Sequence, residues 1–328
     1  MPHQNRSLVV TTATVSVLAT LAIVSLLGPS TPRLQLRAQA QAPRAQIPRL
    51  GNTTIPNMSG IWQALNEANW NLEAHRARPA RTMHPGLPGQ DPVPHGPELA
   101  LGATAAIPGG LGVVEGGGIP YKPDMLKKRN ENFAHSLARD PEVKCLVPGI
   151  PRATYMPYPF QLTQSHTKVM FQYGFSNAGR TVHLDQVDDP GFETWMGHSV
   201  GRWEGDTLVV TVTGLNDLTW LDRAGNFHSA NMTVTERYTM TSPHHIRYEA
   251  TIDDPTTFTR RWTIKMPLYR RVEDHARLFE LRCIQWTEEL VYGHLRKTQL
   301  VTNWSDDYGR RGGILGINIR RAPSKAED

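Results

Sequence analysis

The sequence predicts a mainly β protein: one antiparallel barrel or sandwich, with one or two short helices and a long Pro/Gly-rich N-terminal arm. Three observations favour this fold class. From residue 160 onward, short stretches alternate apolar and polar residues, which is the pattern of strands with one buried face. Turn-forming residues separate these stretches at short intervals. A hydrophobic content of 39% and eight tryptophans suffice for one sizeable core.

Residues 1–40 have the layout of a signal peptide, and residues 41–56 follow as a linker. The uncharged apolar stretch Leu8–Leu27 comes after Arg6, and small residues mark a cleavage site at Ala38-Gln39-Ala40. An uncleaved membrane anchor is the alternative. Cleavage predicts a periplasmic or secreted protein without stable membrane insertion. It removes three arginines and no acid, so the net charge falls from +5 to +2 and a nucleic-acid partner is not expected.

A single β domain is predicted over residues 57–300, followed by a basic tail at 301–328. Within this domain, residues 79–122 form an irregular arm, because nine prolines and ten glycines lie between Pro79 and Pro123 without any sustained period. An irregular segment of this length inside a compact domain is typical of a lid or a covering arm.

Two segments of the domain are candidate helices. Residues 63–77 have a helical pattern that three asparagines weaken. The second helix begins at Pro123 and ends before Asp140-Pro141. Its predicted apolar face consists of Leu126, Phe133 and Leu137.

About eight strands are predicted in the second half of the chain. Hairpin turns between them indicate a lipocalin-like antiparallel barrel or a sandwich, and an eight-stranded barrel can hold a small ligand. No internal repeat is evident. The predicted strands are Lys168–Phe175, Arg180–Asp185, Ser199–Trp203, Thr207–Thr213, Met232–Met240, His245–Asp253, Phe258–Met266 and Arg277–Ile284.

The two cysteines, Cys145 and Cys283, predict one disulfide. Two thiols in an exported chain tend to be oxidised, and an even count is what a disulfide needs. Two buried free thiols are the alternative. Neither cysteine has a C-x-x-C partner, and the chain has no G-x-S-x-G, H-E-x-x-H, Walker or G-x-G-x-x-G motif in a suitable context. We therefore assign no cofactor and no metal ligands.

Two predicted strands each place one charge in an apolar row. Glu236 shares its face with Tyr238, and Arg260 shares its face with Trp262. An unpaired charge on a core face is costly, so each needs a partner or a ligand. We predict that Glu236 and Arg260 meet inside the domain. They would form either a structural ion pair or a polar anchor for a ligand, with Glu236 as a candidate catalytic carboxylate.

Other candidate site residues lie in loops. Asp222 and His228 are close enough in sequence to form a carboxylate–imidazole pair for acid–base work. Local turn hydrogen bonds are the alternative for each histidine. His198 is a candidate ligand-binding residue beside the strands. Arg152 and Tyr155, in a proline-stiffened segment, are predicted to line the mouth of a pocket.

The run Trp195–Val210, WMGHSVGRWEGDTLVV, is long and unusual. It resembles a motif of a widespread family of exported bacterial proteins whose function is uncharacterised. The resemblance implies export and carries no activity, substrate or site residue. Further segments that resemble the family are Asn57–Trp62, Asp140–Pro151, Thr219–Ser229, Glu236–Tyr238, Ile252–Pro255 and Phe279–Cys283.

Three functions are compatible with this pattern. The first is an exported barrel that binds a small apolar or aromatic molecule, with chemical transformation of that molecule left open. The second is a periplasmic hydrolase, lyase or isomerase that uses histidine and carboxylate side chains. The third is a structural or interaction module of the cell envelope. The sequence does not assign an oligomeric state.

Overall fold

The computed structural model describes residues 46–77, 83–84, 93–94, 107–134, 136–185, 187–188, 190–279, 281 and 283. The predicted signal peptide, the central part of the Pro/Gly-rich arm and the basic tail lie outside the described residues. Within the described part, no helix is long and apolar enough to cross a membrane.

The strands and helices are named here in chain order. The strands are β1 Gly60–Ala64, β2 Met83–His84, β3 Val93–Pro94, β4 Phe160–Gln164, β5 Lys168–Tyr173, β6 Gly179–His183, β7 His198–Glu204, β8 Thr207–Thr213, β9 Thr233–Ser242, β10 His245–Asp253 and β11 Trp262–Arg270. The helices are α1 Pro123–Ala134, α2 Ser136–Arg139 and α3 Arg152–Tyr155, with 3₁₀ turns at Pro141–Lys144 and Phe175–Asn177.

Nine of these strands close into one barrel. Their order is β1-β11-β10-β9-β8-β7-β6-β5-β4, and β4 pairs back to β1. The strands β2 and β3 form a separate two-stranded sheet. The prediction of a mainly β barrel is therefore confirmed. The barrel includes β1 and β4, which the sequence pattern did not delimit, whereas the described residues 277–279 of the last predicted strand are not a strand.

One strand pair of the barrel is parallel, which corrects the expectation of a purely antiparallel sheet. In β6 and β7, Val182 pairs with Ser199 and His183 with Val200 in parallel register, while the other barrel pairs are antiparallel. The reason is one of parity. Directions can alternate all around a closed ring only if the number of strands is even, so a ring of nine needs a parallel pair. The connection between β6 and β7 is consequently not a hairpin.

Alternation along the strands determines which side chains face the barrel interior. On β9 the buried residues alternate with partly exposed ones, and β5, β10 and β11 follow the same pattern. The interior is therefore mostly aliphatic and aromatic. Among the strand residues that the structure describes, the buried charged ones are Arg180 and Glu236.

The two ends of the barrel differ. Short turns at 205–206 and 243–244 close the hairpin end, where Gly205 has a φ of 58°. The long connections 65–77, 214–232 and 254–261 all lie at the opposite end, which we call the loop end. The helix α3, which precedes β4, also lies there and is fully buried.

The end of the Pro/Gly-rich arm covers part of the barrel wall. Val114 pairs with Ile264 of β11, the Glu115 amide donates to the Thr263 carbonyl at 2.8 Å, and the Lys265 amide donates to the Val113 carbonyl at 2.9 Å. These bonds use the part of β11 that the short strand β1 does not reach. Residues 113–115 of the predicted arm thus lie along the edge of β11.

The helix predictions were only partly correct. Residues 63–77 finish β1 and continue in turns, in which the Asn66 and Asn71 side chains accept backbone hydrogen bonds. The helix α1 begins at Pro123 as predicted, but its predicted apolar face is wrong because Leu126 is exposed. Its buried contact is polar instead, since the Asn132 amide donates to the Gly225 carbonyl at 3.3 Å.

The predicted disulfide between Cys145 and Cys283 is confirmed. Their Cα atoms are 5.6 Å apart, within the usual range for a disulfide, and 138 positions separate them in sequence. The bridge joins the segment that follows the 3₁₀ turn Pro141–Lys144 to the chain beyond β11.

Candidate functional site

Five polar or charged side chains meet inside the barrel, and we call them the inner cluster. They are Tyr173 of β5, Arg180 of β6, Glu236 and Tyr238 of β9, and Tyr248 of β10. All five are buried because each occupies an inward position of its strand. The cluster therefore gathers residues from two strand pairs, β5–β6 and β9–β10, that are far apart in sequence.

Glu236 is the acceptor at the centre of this cluster. The Arg180 Nη1 atom donates to Glu236 Oε2 at 2.6 Å. The hydroxyls of Tyr238 and Tyr248 both donate to Oε1 at 2.8 Å. Arg180 Nη2 in turn donates to the Tyr238 hydroxyl at 2.9 Å. Both carboxylate oxygens are thus occupied by strong donors, which suits an ionised, buried carboxylate.

The electrostatics of the cluster keep its phenols protonated. Burial, with the nearby Glu236 charge, raises the pKa of Tyr238 and Tyr248 well above its ordinary value. Burial also raises the pKa of Tyr173 to about 12, although Arg180 acts to lower it. Burial would lower the pKa of Arg180, but attraction to Glu236 reverses that effect and raises it. The three phenols of the cluster therefore stay protonated at neutral pH, next to the Arg180–Glu236 ion pair.

Two polar atoms of the cluster have no partner among the described residues. These are Arg180 Nε and the Tyr173 hydroxyl, both fully buried and neither in a hydrogen bond of normal geometry, although Arg180 and Thr154 lie near enough to Tyr173 to lower its pKa. The surroundings are aromatic: the Arg180 guanidinium lies 4.5 Å from the centre of the Phe171 ring, and the Phe160 and Tyr173 rings are 5.6 Å apart. Buried donors in native proteins nearly always have an acceptor, so these two are the unsatisfied polar atoms of the cluster.

The predicted pairing of Glu236 with Arg260 is wrong. Arg260 is exposed, and its Nη1 atom donates to the Arg261 carbonyl at 3.2 Å. The strand β11 begins at Trp262, so Arg260 belongs to the preceding turn and its side chain does not follow the inward row. The ion-pair partner of Glu236 is Arg180 instead. Its position two residues from Val182, on the same face of a predicted strand, marked it as a second candidate beside Arg260.

Asp222 and His228 do not form the predicted pair. Asp222 accepts from the amides of Leu72, Ala224 and Asn226 and from the Asn226 side chain, at 2.6–3.2 Å. His228 Nδ1 donates to the Ser229 carbonyl at 2.9 Å, and the Thr219 hydroxyl donates to Nε2 at 2.6 Å. Burial raises the pKa of Asp222 and lowers the pKa of His228. Both side chains therefore hold the loop 214–232 together, as local turn bonds would.

The other predicted site residues are dispersed. His198 lies on the outer face of β7, where its ring is 5.9 Å from that of His183. Trp262 faces the interior near the loop end, 5.3 Å from the Phe258 ring. The Tyr155 hydroxyl donates to the Leu221 carbonyl at 2.7 Å. Only Glu236 and Tyr238 of the predicted set belong to the inner cluster.

A second buried cluster ties the loop end together, and we call it the loop-end cluster. Arg152 donates to both oxygens of Asp140, at 2.8 and 3.0 Å, and to Glu142 at 2.6 Å. Arg223 donates to the two oxygens of Glu142 at 2.5 and 2.7 Å. Arg152 is only 1% exposed. It therefore does not line a pocket mouth, which corrects that prediction, but fixes α3 over the end of the barrel.

The loop-end cluster should make stability depend on pH. Burial alone would raise the pKa of Glu142, but Arg223 and Arg152 hold it at about 2, against an ordinary 4.5. A lowered folded-state pKa adds stability that is present above pH 4.5 and is lost as the pH falls toward 2. We expect roughly 3 kcal/mol of the free energy of unfolding to disappear over this window.

Urea unfolding at pH 6, 4 and 3 measures this loss. Glu142→Gln should flatten the pH dependence, whereas Glu204→Gln should leave it almost unchanged because the Glu204 ion pairs are exposed. If the free energy of unfolding of Glu142→Gln depended on pH as steeply as that of the parent, this pH dependence would not come from Glu142.

One surface cleft is also evident at the loop end. It has a volume of about 270 Å³, and its lining includes Phe192, Glu193 and Asn231 but no member of the inner cluster. Among the described residues, no group of three or more His, Cys, Asp or Glu side chains lies close enough to hold a metal ion.

Comparison of the chain with protein-family models, curated proteins and solved structures gives no match. The resemblance of Trp195–Val210 to a family of exported proteins therefore stays a prediction. In the structure this run forms most of the β7–β8 hairpin, with Glu204-Gly205-Asp206 at its turn. The function has to be argued from the geometry of the site.

Proposed function

We propose that the protein is exported and binds a small apolar or aromatic molecule inside its barrel, next to the inner cluster. The observation that carries this proposal is the pair of unpartnered buried donors, Arg180 Nε and the Tyr173 hydroxyl, between aromatic side chains. A buried donor without an acceptor costs about 1–3 kcal/mol. A ligand that reaches both atoms recovers that energy and adds aromatic contacts.

The alternative functions have less support. Acid–base catalysis by Asp222 and His228 requires a contact that the two side chains do not make. Glu236 is a poor proton acceptor because three donors already occupy its oxygens. The remaining alternative, an envelope module without a small-molecule site, is the outcome that a negative binding experiment would favour.

Binding of fluorobenzene to the full mature chain tests the proposal. Saturable broadening of its ¹⁹F signal is expected. Ala250 faces the interior directly across from Glu236 in the β9–β10 register, so Ala250→Leu should place three further carbon atoms beside the cluster and weaken binding at least tenfold. Thr251→Leu, on the other face of β10, is the matched control and should bind like the parent. The absence of saturable broadening, or its survival in Ala250→Leu, would refute the proposed site.

Export is the second part of the proposal. The Cys145–Cys283 disulfide supports it, because disulfides persist in oxidising compartments and are rare in the cytosol. With the apolar stretch Leu8–Leu27 and the Ala38-Gln39-Ala40 site, we predict a mature protein that begins near Gln41. N-terminal sequencing of protein recovered from periplasm or medium measures this. Membrane-bound protein that retains Met1 would favour the anchor instead.

A further inference from the structure

The inner cluster offers two unpartnered donors to a ligand. Glu236 Oε1 already accepts two phenols, and Oε2 accepts from Arg180. The hydroxyls of Tyr238 and Tyr248 are used in these bonds. The two unpartnered atoms, Arg180 Nε and the Tyr173 hydroxyl, both carry a hydrogen. A ligand that satisfies them must therefore present an acceptor.

The charge of that acceptor follows from the charges already present. The Arg180 guanidinium is neutralised by Glu236 at 2.6 Å, and both side chains are at most 2% exposed. A carboxylate ligand would bring a second negative charge close to Glu236, without a second cation in the cluster. It would also lose its hydration on entering the barrel, which is costly for an ion and modest for a carbonyl.

The side chains around the two donors are aromatic, which favours a ligand with a flat ring. The Phe171 ring lies beneath the Arg180 guanidinium, and the Phe171 and Tyr238 ring centres are 5.4 Å apart. The helix α3 closes the loop end above them, with Thr154 Oγ1 at 3.4 Å from the Tyr238 hydroxyl. Aromatic rings in contact with other rings gain from offset or tilted stacking in addition to their burial.

We infer that the ligand is a neutral aromatic compound with a carbonyl acceptor, such as an aryl ketone, aldehyde, ester or amide, and not an aromatic carboxylate. This inference rests on the proposed function, because it assigns a ligand class to the same site. The carbonyl oxygen accepts from Arg180 Nε and from the Tyr173 hydroxyl, and the ring packs against Phe171.

Three probes of nearly equal shape test the ligand class. They are 4-fluoroacetophenone, a neutral acceptor; 4-fluorobenzoate, an anionic acceptor; and 1-ethyl-4-fluorobenzene, which has no acceptor. Dissociation constants are measured on the full mature chain from ¹⁹F line widths at pH 7. The ketone should bind at least tenfold more tightly than either of the other two.

Removal of one donor provides the matched comparison. Tyr173→Phe deletes a hydroxyl that has no partner, so the variant should fold, and it should weaken ketone binding severalfold while leaving binding of the hydrocarbon unchanged. Tyr155→Phe is the control, because its hydroxyl bonds to the Leu221 carbonyl outside the cluster, and it should leave the ketone preference intact.

The possible failures are distinguishable. If none of the three probes binds, both the proposed function and the inferred ligand class are wrong. If a probe binds and remains sensitive to Ala250→Leu, but the carboxylate or the hydrocarbon binds as tightly as the ketone, only the ligand class is wrong. An unchanged ketone preference in Tyr173→Phe likewise overturns the inferred contact and leaves the binding function standing.

Discussion

Arg180→Met should lower the free energy of unfolding by roughly 3–5 kcal/mol, because it leaves the buried carboxylate of Glu236 without its counter-charge. Glu236→Leu should cost a similar amount, since it leaves the Arg180 guanidinium unpaired. The double variant should regain much of the loss, because neither charge is then stranded. Urea unfolding of the four proteins measures the coupling between the two residues.

Two controls accompany this double-mutant cycle of Arg180 and Glu236. Arg260→Met changes an exposed arginine that does not contact Glu236, so we expect a change within about 0.5 kcal/mol. Combining it with Glu236→Leu should give additive effects. If Arg180→Met and Glu236→Leu were themselves additive within about 0.5 kcal/mol, the contact between them would be contradicted.

The double variant also separates a structural role of the ion pair from a ligand-anchoring role. It should fold with most of the parent's stability. If the pair also anchors a ligand through Arg180 Nε, the variant should lose the preference for 4-fluoroacetophenone over 1-ethyl-4-fluorobenzene. A retained preference would show that the pair only stabilises the barrel.

Replacing both Cys145 and Cys283 by serine should lower the free energy of unfolding by about 5 kcal/mol. The bridge closes a loop of 138 residues, and by the chain-entropy relation a loop of this length restricts the unfolded chain by that amount. The bridge also follows directly on the 3₁₀ turn that holds Glu142 in the loop-end cluster. Unfolding in urea, with and without a reductant, measures the effect.

The serine variant is the control for the reductant. Reduction should shift the parent protein to the midpoint of the variant and leave the variant itself unchanged. Thiol titration of the unfolded, unreduced parent should detect no free thiol. Two titratable thiols, or equal midpoints for parent and variant, would contradict a stabilising bridge.

Strand alternation was the part of the fold that the sequence predicted well. The period of two on β9 places Glu236 and Tyr238 on one face, and the structure has both inside the barrel. The Cys145–Cys283 bridge was also predictable, because only two cysteines are present in a chain with the marks of export. The strand faces follow from local periodicity and the disulfide follows from the number of cysteines, and both can be read directly from the sequence.

The partner of Glu236 was not predictable in the same way. Arg180 and Arg260 both stand in alternating stretches, and local pattern does not distinguish them. The strands β9 and β6 are not neighbours in the sheet, since β8 and β7 lie between them. Their side chains meet because the barrel is closed and its interior brings together residues from separate strands.

Local spacing was equally insufficient in the loops. Asp222 and His228 are six residues apart, but the positive φ of 82° at Gly225 turns the chain between them, and backbone amides occupy Asp222. Arg152, in a proline-rich segment, was predicted to line the mouth of a pocket, yet Asp140 and Glu142 hold it in the interior. In both cases the hydrogen-bond partners are backbone amides or acidic side chains that reach these residues only when the chain is folded.

The sequence by itself therefore determined the fold class, the inward faces of the strands and the disulfide, since each follows from periodicity or composition. Only the tertiary structure decided the number of barrel strands, the parallel β6–β7 pair and the partner of each buried charge. The physical reason is that closure is a property of the whole ring. A ring of nine strands requires one parallel pair, and its register determines which inward side chains come within hydrogen-bonding distance.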